Sequence, residues 1–137
     1  MPVIVHRGNG GSDYWISVVV LEKPDSILSS ALEKEAVDSL ITQLAMNPQI
    51  GEIIPNSGGL RKVRVAKRGG GKSGGLRVVY LFHDLNMPLF IIAAYEKNKK
   101  ERYTEKELAQ MRLLGKKLVG RYATEIRNKI GLSSKTA

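Results

Sequence analysis

The chain contains no cysteine and only two histidines among 137 residues. Disulfides, thiolate nucleophiles and Cys-ligated zinc are thereby excluded. His6 and His83 are far apart, and no cluster of carboxylates accompanies either. A metal site is therefore not expected. No serine stands in a recognisable Ser-His-Asp motif. Long apolar runs are also missing: none reaches the ~18 residues that a membrane-spanning helix needs. Met1 to Gly8 holds no basic leader before an apolar stretch, so neither a signal peptide nor a membrane partner is expected, and the cytoplasm is the expected compartment. Hydrophobic residues make up 42% and charged residues 26%, which is ordinary for a globular chain and argues against disorder.

Acidic residues are scarce. Lys and Arg total 22 against 13 Asp and Glu, a net charge of +9. The imbalance is local. Residues 1–59 hold 3 basic and 7 acidic side chains, residues 60–103 hold 11 and 3, and residues 104–137 hold 8 and 3. The middle of the chain is thus strongly cationic, and its natural partner is a polyanion. A solvated basic face without a partner is the alternative.

The expected domain plan is a flexible leader over 1–12, one domain over 13–131 and a flexible tail over 132–137. Tyr14 to Leu21 reads as a strand that Pro24-Asp25-Ser26 breaks. A helix follows, with Ser30 and Glu33 at capping-box spacing and an apolar stripe of Ala36, Val37, Leu40, Ile41, Leu44 and Ala45. Asn47-Pro48 ends it. Leu60 to Ala66 alternates, with Val63 and Val65 on one face and Lys62 and Arg64 on the other. Leu76 to His83 and Leu89 to Tyr95 are apolar strands, and short connections join the three into an antiparallel meander. Thr104 and Glu107 form a second capping box, opening a helix that extends to about Lys129. The fold class is α+β, an antiparallel sheet with packed helices.

Ala66 to Ser73 (AKRGGGKS) matches the loose phosphate-loop pattern. Such a loop must run from a strand into a helix, whereas a strand follows here, so nucleotide binding by this loop is not expected. The segment reads instead as a hairpin loop in which glycines supply free backbone N–H groups and Lys67, Arg68 and Lys72 supply charge. Lys62 and Arg64 share one strand face, Arg77 interrupts the next strand, and Lys97-Asn98-Lys99-Lys100-Glu101-Arg102 follows the last. A meander can converge these groups on one side of the sheet. Arg77 must reach the rim or find an acceptor, and a salt bridge to Asp84 or Glu96 is its structural reading.

Asn47-Pro48-Gln49-Ile50-Gly51, followed by Gly58-Gly59-Leu60-Arg61-Lys62-Val63-Arg64-Val65-Ala66, resembles the HigB branch of the RelE-like toxins of bacterial type II toxin–antitoxin systems. The glycine loop leading into Gly75-Leu76-Arg77-Val78-Val79-Tyr80 and the stretch Tyr95-Glu96-Lys97-Asn98 resemble it too. The resemblance spans about Ser17 to Leu118. It implies a small α+β domain with a twisted antiparallel sheet, and metal-free and cofactor-free cleavage of messenger RNA on the ribosome. It also implies a cognate antitoxin, a small helix-turn-helix protein. By position it implies catalytic roles for Lys62 and Arg64 as paired basic residues, for Arg77 on the scissile phosphate and for Lys97. In the chemistry of RNA cleavage Lys62, between the cations Arg61 and Arg64 in sequence, is the candidate base, Arg77 the transition-state clamp, and Lys97 or Arg64 the acid or phosphate holder. Tyr103 or Thr104 falls near a tyrosine that some members use. Arg61, Lys67, Arg68, Lys72, Lys99, Lys100 and Arg102 are the expected RNA-binding set. Two other functions fit the residues: a toxin of the related ParE branch that binds gyrase, and a non-catalytic basic RNA- or ribosome-binding module.

Overall fold

A computed structural model describes the backbone of residues 2–6, 16–66, 75–96 and 102–129, and the side chains of 16–66, 75–96 and 102–125. The described residues form six strands and three helices in the order β1 (Pro2–His6), β2 (Val18–Leu21), α1 (Glu22–Ala31), α2 (Lys34–Met46), β3 (Glu52–Ile53), β4 (Leu60–Val65), β5 (Leu76–Leu81), β6 (Leu89–Glu96) and α3 (Glu105–Lys129). All six strands join one sheet in the order β1-β2-β6-β5-β4-β3.

The expected meander is present: β4, β5 and β6 pair antiparallel in sequence order. The sheet as a whole is mixed, because β2 pairs parallel with β6. Residues 2–6, expected to belong to a flexible leader, instead pair antiparallel with β2 as an edge strand. The β-branched run Val3-Ile4-Val5 suits that role.

Helices cover both faces. Val18, Val20, Leu76, Val78, Tyr80, Leu89 and Ile91 bury one face against Leu28 of α1 and Leu40, Ile41 and Leu44 of α2. Val19, Leu60, Val79, Leu81, Phe90 and Ile92 bury the other against Leu108, Met111, Leu114 and Leu118 of α3. Gly115 brings α3 close to the sheet: a Cβ there would stand 3.2 Å from Leu81 Cδ2.

One expected helix is in fact two. The strand ends at Leu21, as expected, but the chain passes straight into α1 at Glu22, and Pro24 lies in its first turn, where its missing N–H costs no helical bond. The Ser30/Glu33 capping box does not form. Ser30 lies inside α1 and its Oγ donates to the Ser26 carbonyl at 2.9 Å, while Glu33 is the N-cap of α2 without a side-chain cap bond. The capping-box spacing straddles the break between the two helices. The apolar stripe of α2 is as expected, with Leu40, Ile41, Leu44 and Ala45 buried. The second capping box does form: Glu107 N–H donates to Thr104 Oγ1 at 3.1 Å, and Thr104 N–H donates to Glu107 Oε1 at 2.9 Å. The helix it opens runs to Lys129.

The turn into β4 is built tightly. Asn56, Gly58 and Gly59 take positive φ values of 59°, 75° and 99°. Buried Ser57 closes the turn, its Oγ donating to the Ile54 carbonyl at 2.5 Å and accepting from Leu60 N–H at 3.0 Å. Arg112 of α3 donates to the Asn56 carbonyl, tying the turn to the helix.

Candidate functional site

Strand register decides which cations meet. Arg64 of β4 stands opposite Arg77 of β5, and Arg77 stands opposite Tyr95 of β6. Directly opposed residues share a face, with Cα atoms roughly 4.5–5.5 Å apart. Arg64, Arg77 and Tyr95 therefore form one row across the sheet. Lys62 begins a second row, opposite Val79, which stands opposite Ala93. Val79 belongs to the core under α3, so both rows lie on the α3 face. Lys62 and Arg77 are half-buried and Arg64 is exposed.

Gly75 makes room for this arrangement. A Cβ there would stand 3.0 Å from the Val65 carbonyl oxygen and 3.3 Å from Arg64 Nε. The side chain of Arg64 thus lies over the backbone just before β5, and a larger residue at 75 would have to push it and the Val65 carbonyl back by a few tenths of an ångström. A strand rather than a helix follows Gly75, as the reading of Ala66 to Ser73 against nucleotide binding requires.

Arg77 is not held by either carboxylate that the sequence offered. Asp84 is engaged in its own turn, where its Oδ1 accepts from Asn86 N–H at 2.7 Å and its Oδ2 lies 2.8 Å from His83 Nδ1. Those contacts, the Asn86 N–H first, hold the Asp84 carboxyl below its ordinary value. Glu96 pairs with Leu76, on the face that packs against α1. The Arg77 Nε is buried and has no hydrogen-bond partner among the described residues. The same is true of the Tyr95 and Tyr103 hydroxyls.

These three atoms belong to one cluster. The Tyr95 and Tyr103 rings meet edge to face, with centroids 5.2 Å apart and planes at 84°. Burial pushes the Tyr103 phenol far above its ordinary range, with the neighbouring Tyr95 adding to the rise and Arg77 opposing it. The two hydroxyls are near enough to influence one another without meeting the geometry of a hydrogen bond. Tyr103 consequently stays a protonated donor at any physiological pH. Tyr95, Tyr103, Glu107, Gln110 and Met111 line a groove of about 360 Å³ between β6 and the start of α3. Of the two residues that the resemblance left open, Tyr103 faces this cluster, while Thr104 is occupied as the helix cap.

Arg61 takes a different place. It is opposite Tyr80, whose ring is buried in the core under α1 and α2, so it lies on the other face of the sheet. Its Nη1 donates to the Gly51 carbonyl at 2.6 Å and the Gln49 carbonyl at 3.2 Å. Tyr80 completes this latch, its hydroxyl accepting from Gly51 N–H at 2.8 Å and donating to the Pro48 carbonyl at 2.7 Å. The cations that crowd Lys62 on its own face are therefore Arg64 and Arg77, not Arg61. Arg102 is exposed beside Tyr103. Lys67, Arg68, Lys72, Lys97, Lys99 and Lys100 lie outside the described residues.

Sequence reasoning missed Tyr95 as a member of the row. The signal was the alternation of β6, but its use required the register against β5, which slips by one residue between Val79 and Tyr80.

Among the described residues no three His, Asp or Glu side chains gather as a metal site would require, and no helix is long and apolar enough to cross a membrane. The arrangement is a cationic strip with a lysine, two arginines and two tyrosine hydroxyls, suited to hold a phosphodiester and stabilise added charge on it.

A free-state arginine-to-alanine double mutant of the Escherichia coli toxin RelE is 15% identical, over 64% of this chain and 88% of its own, with a TM-score of 0.47. The family model for the RelE toxin of the RelE/RelB toxin–antitoxin system matches residues 26–133. That match covers most of the chain, including the whole meander and α3, and the protein belongs to the RelE toxin family.

Proposed function

We propose that this toxin is an endoribonuclease that cleaves messenger RNA on the ribosome in the cytoplasm, and that a cognate antitoxin, a small helix-turn-helix protein, restrains it. The observation that carries the reading is the row of Arg64, Arg77 and Tyr95, with Lys62 one row away on the same face.

RNA cleavage without an external nucleophile needs three things. The 2′-hydroxyl must lose its proton, the phosphorus must accept a fifth oxygen and its added negative charge, and the 5′-oxygen must be protonated as its bond to phosphorus breaks. The products are a 2′,3′-cyclic phosphate and a 5′-hydroxyl. Lys62 is the base in this scheme, on the same face of the sheet as Arg64 and Arg77. Arg77 stabilises the pentacovalent phosphorus, since a guanidinium presents forked donors to two oxygens at once. Arg64, exposed at the end of the row, holds the phosphate or supplies the proton, and Lys97 is the alternative for that role. Arg102 and the lysines and arginine at 67, 68, 72, 99 and 100 extend the phosphate contacts.

The scheme needs no protein-bound metal, and metal analysis of the purified protein is expected to find no stoichiometric zinc or manganese. The defining experiment adds purified toxin to ribosomes programmed with a defined message. Cleavage within the ribosome-bound codon is expected, with none of the same RNA free in solution. Intact message together with DNA damage in expressing cells would instead indicate a gyrase poison. Intact message without growth arrest would indicate a plain RNA-binding module.

A further inference from the structure

We propose that Tyr95 is a positioning residue that acts through Tyr103, its hydroxyl being kept unpaired in the free protein so that it can complete a hydrogen-bond chain to the scissile phosphate. This rests on the reading of the protein as a ribonuclease and adds to it a residue that neither the sequence motifs nor the family match assigns.

Three buried polar atoms without partners, on adjacent residues of one face, are unusual. Each represents desolvation that folding has not recovered. A tyrosine hydroxyl has one proton to give and lone pairs to accept, whereas Arg77 Nε can only donate. The set therefore has a surplus of donors, and the missing partner is an acceptor. A phosphate oxygen arriving at Arg77 supplies it. Both donors are closed to solvent in the free protein, so the phosphate reaches them as Tyr103, which lies outside the strands, turns aside; Arg77 Nε–H and Tyr103 O–H then donate to phosphate oxygens, and the Tyr103 oxygen accepts from Tyr95 O–H. One anion satisfies all three orphaned atoms, and no second acceptor is needed.

The register makes Tyr95 the fixed member. It sits in β6 opposite Arg77, with the sheet holding both backbones, and its ring meets that of Tyr103 edge to face. Tyr103 lies outside the strands, just before α3, so its orientation depends on what it packs against. Tyr95 sets that orientation and polarises the Tyr103 hydroxyl as negative charge grows on the phosphate.

The test is a double-mutant cycle with Tyr95→Phe, Tyr103→Phe and the pair, read as single-turnover cleavage on programmed ribosomes, KM for the ribosome complex, and thermal midpoint. Phenylalanine keeps the ring contact and removes only the hydroxyl. Tyr95→Phe is expected to slow cleavage by about three- to tenfold, the value of one neutral hydrogen bond, with KM unchanged. Its melting temperature should equal or exceed that of the wild type, because a buried hydroxyl without a partner is removed. The double variant should be no slower than Tyr103→Phe alone. A wild-type rate for Tyr95→Phe, effects that multiply in the double variant, or a lower melting temperature for Tyr95→Phe would each overturn the proposal. Wild-type protein that cleaves nothing overturns the ribonuclease reading itself, and the control reaction reveals that result separately.

Discussion

Replacing Tyr80 by phenylalanine removes a single oxygen from the most enclosed aromatic ring of the described core. That oxygen joins two parts of the chain. It accepts from Gly51 N–H at 2.8 Å and donates to the Pro48 carbonyl at 2.7 Å, holding residues 48–51 against β4 and β5. The ring of phenylalanine fills the same space, so no cavity opens. What is lost is two hydrogen bonds, at a net value of about 1 kcal/mol each, and the buried Gly51 N–H is left without a partner at a further cost of up to about 2 kcal/mol. The expected destabilisation is therefore about 2–4 kcal/mol. For a domain of this size that corresponds to a fall in melting temperature of roughly 8–16 °C. Thermal melting and urea denaturation of the purified variant measure it. Gly51→Ala should produce a loss of the same order by another route, since its Cβ would stand 2.7 Å from the Lys62 carbonyl oxygen and 2.8 Å from the Tyr80 hydroxyl. Both changes strike one contact, so the double variant should lose less than the sum. A drop of under about 3 °C for Tyr80→Phe would refute the reasoning, since it would mean that the latch contributes no more than an exposed bond.

Other outcomes follow from the same contacts. Arg61→Ala should cost about 1–2 kcal/mol by releasing the Gly51 and Gln49 carbonyls, yet reduce cleavage below the melting transition much less than Lys62→Ala does, because the two side chains lie on opposite faces. Thr104→Ala should cost about 1 kcal/mol through loss of the reciprocal cap on α3, read as a fall of roughly 4 °C. Stability should also fall in alkali. Burial raises both the Tyr80 and the Tyr103 phenols above the ordinary 10.0, so the unfolded chain loses these protons first. Their contribution is complete below that pH and declines as pH rises beyond it. Denaturation midpoints measured across that range should show the decline, and Tyr103→Phe should lessen it.

Much of this molecule is legible in its sequence, and the parts that are not have physical causes. The meander and α3 are readable because alternation in Leu60 to Ala66, continuous apolar strands and the Thr104/Glu107 cap are local signals. The division of the first helical region is not, because Pro24 is compatible with both a strand end and a helix start. The parallel pairing of β2 with β6 joins strands distant in sequence, and no local pattern encodes it. In the site, Lys62, Arg64 and Arg77 are readable as cations on alternating or apolar strands. The separation of Arg61 from its neighbour Lys62 also follows from alternation, although sequence adjacency alone suggests a single basic cluster. Tyr95 joins the site only through a register that contains a bulge, and the orphaned atoms of Arg77, Tyr95 and Tyr103 depend on side-chain packing that no spacing rule reveals.

In the proposed reaction Arg77 is placed for the phosphate rather than for the fold. Its Nε is buried without a partner among the described residues, so that donor contributes no hydrogen bond to the fold. The direct measurement is cleavage of a defined message on programmed ribosomes by wild type and Arg77→Ala, with the melting temperature of each recorded alongside. Cleavage is expected to fall by at least about a hundredfold, the usual cost of losing a transition-state donor, in a protein that melts within a few degrees of the wild type. Undiminished cleavage by Arg77→Ala, or activity lost only in step with unfolding, would contradict it.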